Sequence, residues 1–190
     1  MMKRRIGTIL GSLLSLILLS CTADNEFSTA ACYLVIENNL HNDATLASAM
    51  NSASPGVFVT ITKVTSKGAT YFHISSNQGG NSSSIFNAID AKRNLIIGMN
   101  GGLIVGYGNL SQPVTFYAYD RECPNCFDPN NIPMKSYPIN VNSSGIGTCS
   151  KCGRKYDLNN GGIISSGEGG KKMTRYRCGT TGSYGVLSVN

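Results

Sequence analysis

The sequence predicts an all-β protein, and three observations carry that expectation. Glycine supplies 22 of the 190 residues, with nine tyrosines, six phenylalanines and no tryptophan. Short runs rich in β-branched and aromatic residues recur along the chain, and Gly-, Asn- and Ser-rich punctuation separates them. That is the composition of short strands joined by tight turns. The length suits one compact domain plus appendages, able to bury a core without help from disulfides.

The chain opens with Lys3, Arg4 and Arg5, followed by an uncharged apolar stretch of 15 residues from Ile6 to Ser20. Such a stretch is short for a bilayer span and of the right length for the apolar region of an export signal. Leu18, Leu19 and Ser20 before Cys21 resemble the bacterial lipobox. The resemblance implies a lipoprotein signal peptide over residues 1–20, lipidation of Cys21, a flexible tether over 21–30 and one domain over 31–190. It also implies a lipid anchor in a membrane of the cell envelope. Thr22 is not the Asp associated with inner-membrane retention in some bacteria, which leans towards the outer membrane.

Strands follow in order. "ACYLVIEN" opens the domain as a strand, and "NLHNDATLASAMNSASPG" reads as a loop with at most one short helix. "VFVTITKV" and "ATYFHIS" flank Ser66-Lys67-Gly68 and make a hairpin. "SNQGGNSSS" has no apolar period and reads as a loop, and "IFNAIDAKRN" as a helical turn or an irregular crossing. "LIIGMNGGLIVGYG" predicts a second hairpin turning at Asn100-Gly101-Gly102. "VTFYAYD" is a further strand. After it come the cysteines, then the turn "NNGG" and the strands "IIS", "KMTRYRC" and "GVLSV".

The chemistry concentrates in "CPNC" and "CSKC". Cys123 with Cys126 and Cys149 with Cys152 are two Cys-x-x-Cys knuckles separated by 22 residues. Two intervening residues let a tight turn aim both sulfurs at one point, and two facing knuckles make a four-thiolate metal site. Paired disulfides are the alternative in an oxidising compartment, but a Cys-x-x-Cys disulfide closes too small a loop to stabilise a fold much. The metal-binding subdomain is expected at about residues 119–170.

The second knuckle, in "CSKCGRKYDLNNGGIISSG", resembles the cluster-binding loop of Rieske-type iron–sulfur domains. Cys149 falls on the ligand Cys, Cys152 on the ligand His, and Gly153, Tyr156 and Asp157 match, while Arg154 replaces a Ser that donates to a bridging sulfide. "FYAYDREC" resembles the strand entering the first loop and puts Cys123 on its ligand Cys, with Cys126 one residue beyond the position of the His. The resemblance covers about residues 94–178. It implies a Rieske-like antiparallel β-sandwich or barrel with a zinc-ribbon-like knuckle subdomain, and a role for Tyr156 as a cofactor-binding residue that hydrogen-bonds a ligand sulfur. Four cysteines in place of two cysteines and two histidines leave the chemistry open. Zinc would clamp the two loops, whereas an iron–sulfur centre, two-iron (2Fe-2S) or rubredoxin-like, would carry one electron at low potential.

Other signals are weaker. Cys32 and Cys178 remain after these assignments and are a possible disulfide, the alternative being two buried thiols. His41 and His73 have no sequence neighbours that mark a site, and no serine sits in Gly-x-Ser-x-Gly. Asp120, Glu122 and Asp128 are expected to cap turns and face solvent. The formal charge of +6 falls to about +3 once a signal is removed. The remaining basic excess reads as a solvated face, not a nucleic-acid surface. The function expected is an envelope lipoprotein whose metal centre is structural and non-enzymatic, with an unknown protein or redox partner. An iron–sulfur electron carrier is the alternative, and thiol–disulfide exchange a distant third.

Overall fold

The computed structural model describes residues 26–190, so the expected signal peptide, Cys21 and the first residues of the tether lie outside the described residues. What it describes is predominantly β, built from antiparallel sheets. Two very short helices, α1 (Asn38–His41) and α2 (Ala44–Ala49), follow strand β1 (Leu34–Glu37). Next come β2 (Phe58–Ser66), β3 (Ala69–Ser76), β4 (Asn81–Ile85), α3 (Ala88–Lys92), β5 (Gly102–Tyr107) and β6 (Phe116–Asp120). The knuckle region supplies β7 (Ile139–Val141), β8 (Ile146–Cys149), β9 (Lys155–Asp157) and β10 (Ile163–Ser166). The chain closes with β11 (Arg175–Tyr176), β12 (Cys178–Thr180) and β13 (Val186–Val189).

These strands form a three-stranded sheet in the order β1-β13-β12, a four-stranded sheet β10-β9-β8-β7 and a six-stranded sheet β11-β6-β5-β2-β3-β4. The six-stranded sheet has apolar material on both faces. On one face Val59, Ile61, Phe72, Ile74, Leu103 and Val105 pack with Leu34, Leu187 and the α2 residue Leu46. On the other, Phe58, Ile104 and Tyr119 pack with Cys123, Cys149, Tyr156 and Leu158 of the knuckle region. Strand β5 is buried along almost its whole length, which is why its sequence is a continuous apolar run and not an alternation. No helix among the described residues is long and apolar enough to cross a membrane.

The hairpin of "VFVTITKV" and "ATYFHIS" forms in full register from Val59↔Ser76 to Ser66↔Ala69. The hairpin expected at Asn100-Gly101-Gly102 does not. Ile96 makes only an isolated bridge to Tyr33, and β5 pairs instead with β2 and β6. The turn is captured by side chains: the Met99 N–H donates to Asp120 Oδ2 at 2.7 Å and Asn100 Nδ2 to Glu122 Oε1 at 2.8 Å. The second half of the expected loop at 76–84 belongs to β4, whose signal is polar. Ser82 and Ser84 donate their hydroxyls to Asp43, the N-cap of α2, at 2.9 and 3.1 Å.

Two further expectations are corrected. "KMTRYRC" is not one strand, because the chain changes sheets at Arg177, with Tyr176 paired to Ala118 and Cys178 to Val189. Nor is the end of the tether loose. Arg175 pairs with Glu26 at 2.9 Å, the Ser28 N–H donates to the Arg175 carbonyl at 2.7 Å, and the Arg175 and Arg177 guanidinium groups lie over the Phe27 ring. Cys32 and Cys178 are free thiols, with β13 lying between β1 and the strand that carries Cys178.

Candidate metal centre

Each knuckle is a turn that its own backbone closes. In the first, the Cys126 and Phe127 N–H groups both donate to the Cys123 carbonyl, at 3.1 and 2.9 Å. The second is the turn between β8 and β9, where the Cys149 N–H donates to the Arg154 carbonyl and the Gly153 N–H to the Cys149 carbonyl at 2.9 Å. Gly153 has φ +71°, a left-handed conformation that disfavours any residue with a Cβ.

The two turns face each other. Cys123 Sγ lies 3.8 Å from Cys152 Sγ, and Cys149 Sγ 3.9 Å from Cys126 Sγ. All four sulfurs lie within 4.8 Å of one another, with Cys123 and Cys149 buried and Cys126 and Cys152 half-buried. Four ligands at the usual zinc–thiolate distance of about 2.3 Å, arranged tetrahedrally, place their sulfurs about 3.8 Å apart. The donor set and its spacing therefore fit a single tetrahedral ion, and these four cysteines could hold one.

The electrostatics of the thiols point the same way. Burial, partly offset by the Tyr156 hydroxyl and a backbone N–H, pushes Cys123 up. Burial and then the neighbouring thiols push Cys126 up as well. Burial also acts upward on Cys152, but the Arg154 N–H, its guanidinium and the neighbouring thiols outweigh it and lower Cys152 to about 6. Ionising one sulfur thus makes the next harder to ionise, the repulsion that a bound cation removes.

Around the sulfurs, Tyr156 of β9 is fully buried and its hydroxyl lies 3.2 Å from Cys123 Sγ. Asn125, inside the first knuckle, donates to that hydroxyl at 2.9 Å and exchanges two hydrogen bonds with the Lys171 backbone, Nδ2 to its carbonyl at 2.7 Å and its N–H to Oδ1 at 2.9 Å. Arg154 reaches the Glu168 carboxylate at 3.2 Å and the Gly169 carbonyl at 3.1 Å. The loop after β10 is thereby fastened to both knuckles. Sequence reading missed Asn125, whose only signal was its place between the two cysteines.

Asp120 and Glu122 are corrected from solvated turn residues to buried ones, at 0% and 1% exposure. Glu122 accepts from Asn100, from the Ser136 hydroxyl and from the Tyr137 N–H, so its carboxylate ties the chain entering the first knuckle to the chain leaving the loop beyond it. Asp120 accepts from Met99, from the Glu122 N–H at 2.8 Å and from the Tyr176 hydroxyl at 2.8 Å.

The histidines stand elsewhere. His41 pairs with Asp90 at 3.0 Å inside the core, and His73 stands on β3 beside Ser83, its Nδ1 3.1 Å from the hydroxyl. Compared with protein-family models, curated proteins and solved structures, the chain matches none.

Proposed function

We propose that the chain is a lipid-anchored envelope protein whose β domain holds one metal ion on Cys123, Cys126, Cys149 and Cys152, with zinc as the structural clamp and no enzymatic role. The single observation that carries the metal is the sulfur spacing of 3.8 and 3.9 Å across the two knuckles. Four thiolates close the coordination sphere, which suits a structural ion and leaves no position for a substrate. The anchor rests on residues 1–21 of the sequence alone.

The Rieske-like reading draws support from Tyr156, whose hydroxyl lies beside a ligand sulfur as the resemblance implies, and from the two buried cysteines at the matched positions. It does not extend to a two-iron cluster. Such a cluster spreads its thiolates over two irons, whereas these sulfurs gather within 4.8 Å around one point. A rubredoxin-like single iron is the second reading, favoured by the same tetrahedral spacing and by Cys126 and Cys152 reaching towards solvent.

Purified full-length protein should contain one zinc per chain and show no visible absorption. One iron with thiolate charge-transfer bands would replace the clamp with an electron carrier. All four cysteines found as disulfides in fresh protein would end both readings. Labelled fatty acid should enter the wild type and not Cys21→Ser; equal labelling would remove the anchor.

A further inference from the structure

The outer face of the six-stranded sheet is covered by the knuckle region at β5, β6 and Phe58 at the start of β2, but not along the rest of β2 or at β3. Cross-strand pairing lays Thr60 beside Ser75 and Thr62 beside His73 on this open part. Opposite stands β7, the edge strand of the four-stranded sheet. Between them is a cleft of about 410 Å³. That is within the usual range for small-molecule sites.

Arg121 stands at the head of this cleft. Its N–H donates to the Gly102 carbonyl at 3.1 Å, and its carbonyl accepts from Ile139, so it joins the two sheets. Its side chain lies flat over Gly102, where a Cβ would come within 2.7 Å of Arg121 Cδ. Glycine there is what allows the guanidinium to reach over the strand. Arg121 Nε is buried without a hydrogen-bond partner, and no carboxylate pairs with the guanidinium among the described residues. None of the residues lining the cleft is acidic.

Burial closes Nε off from the cleft, but neither Nη of Arg121 makes a hydrogen bond or ion pair among the described residues, and a planar oxyanion is the ligand that such a guanidinium edge fits best. The threonine and serine hydroxyls and the His73 imidazole along the floor offer hydrogen bonds to a hydroxylated body. We propose that this cleft binds a small polyhydroxylated anion, its carboxylate or phosphate held by Arg121 and its hydroxyls by Thr60, Thr62, His73 and Ser75. None of the four cysteines lines the cleft, although Phe58 and Ile139 on its walls also pack in the cluster that holds Cys123 and Cys149.

The test is titration of the full-length protein with glucuronate, glucose 6-phosphate, inorganic phosphate and glucose, followed by backbone amide NMR. Saturable shifts at Thr60, Thr62, His73 and Asn140 are expected with glucuronate or glucose 6-phosphate, and which one binds tells carboxylate from phosphate. Arg121→Gln should weaken that binding about tenfold or more, with metal content unchanged. Thr62→Val, which keeps the strand shape, should weaken it several-fold and decides the matter if Arg121→Gln fails to fold. No saturable shift with either sugar anion, equal binding of glucose, or undiminished binding by folded variants would overturn the site. Inorganic phosphate binding as tightly as glucose 6-phosphate would overturn the role of the hydroxyl floor.

Discussion

The Tyr156 hydroxyl lies 3.2 Å from Cys123 Sγ and accepts a hydrogen bond from Asn125 Nδ2 at 2.9 Å, so one buried phenol touches a sulfur of the first knuckle and an amide inside it. Groups that orient metal ligands typically change affinity by about tenfold to a hundredfold when removed. Tyr156→Phe keeps the ring in its apolar surroundings and removes only the hydroxyl. Metal should still bind, and a chelator should strip it about tenfold faster than from wild type. An unchanged stripping rate would mean that the phenol only fills space.

Metal removal itself should be felt throughout the second apolar cluster, because Cys123 and Cys149 pack in it with Phe58, Ile104 and Tyr119. Protein treated with chelator under reducing conditions should melt well below the untreated protein, and stoichiometric zinc should restore the original transition. Identical melting curves would remove the clamp.

Glu122 is the carboxylate on which the first knuckle depends. Glu122→Gln leaves one oxygen to do the work of two and turns an amide NH2 towards a donor, either Asn100 or the Tyr137 N–H. The expected loss is about 1–3 kcal/mol of unfolding free energy, read by denaturant titration. A variant as stable as wild type would return Glu122 to the solvated role that its sequence context suggests.

Asp120 provides a pH dependence. Burial raises its pKa, against the opposing effect of the hydrogen bonds from Met99, Glu122 and Tyr176. A carboxyl raised in the folded state binds its proton more tightly there than in the unfolded chain. Its stabilising contribution is therefore full below the unfolded pKa of about 3.9 and is lost as the pH rises through the folded value. The gap in unfolding free energy between wild type and Asp120→Asn should narrow as the pH is raised from about 4 towards neutrality. A gap that widens would show that the hydrogen bonds outweigh burial.

Much of this architecture was legible in the sequence where a signal is local. The β2–β3 hairpin was visible in its alternation and its Gly68 turn, and the cysteine constellation in its spacing. What escaped was set by distant partners. Strand β4 has no apolar period because its inward contacts are two serine hydroxyls on Asp43, 39 and 41 residues away. Gly101-Gly102 looks like a hairpin turn, but it lies beside a buried carboxylate pair that recruits the preceding segment for itself. Asp120 and Glu122 read as solvated because nothing in "YDREC" reveals that the strand ends inside the molecule. The docking of Phe27 depends on two arginines nearly 150 residues further along, beyond the reach of any local pattern.

Ile104 and Val105 are neighbours on β5, yet they belong to different apolar clusters, Ile104 to the one that holds the cysteines and Val105 to the one beneath β1 and β13. Neither half of the molecule has a private floor. Opening the knuckle region strips one face of the strand on which the other half rests, so the two cannot come apart as separate cooperative units. The slowest-exchanging amides should then be those of β5 and its partners β2 and β6, and they should be released together in a single step.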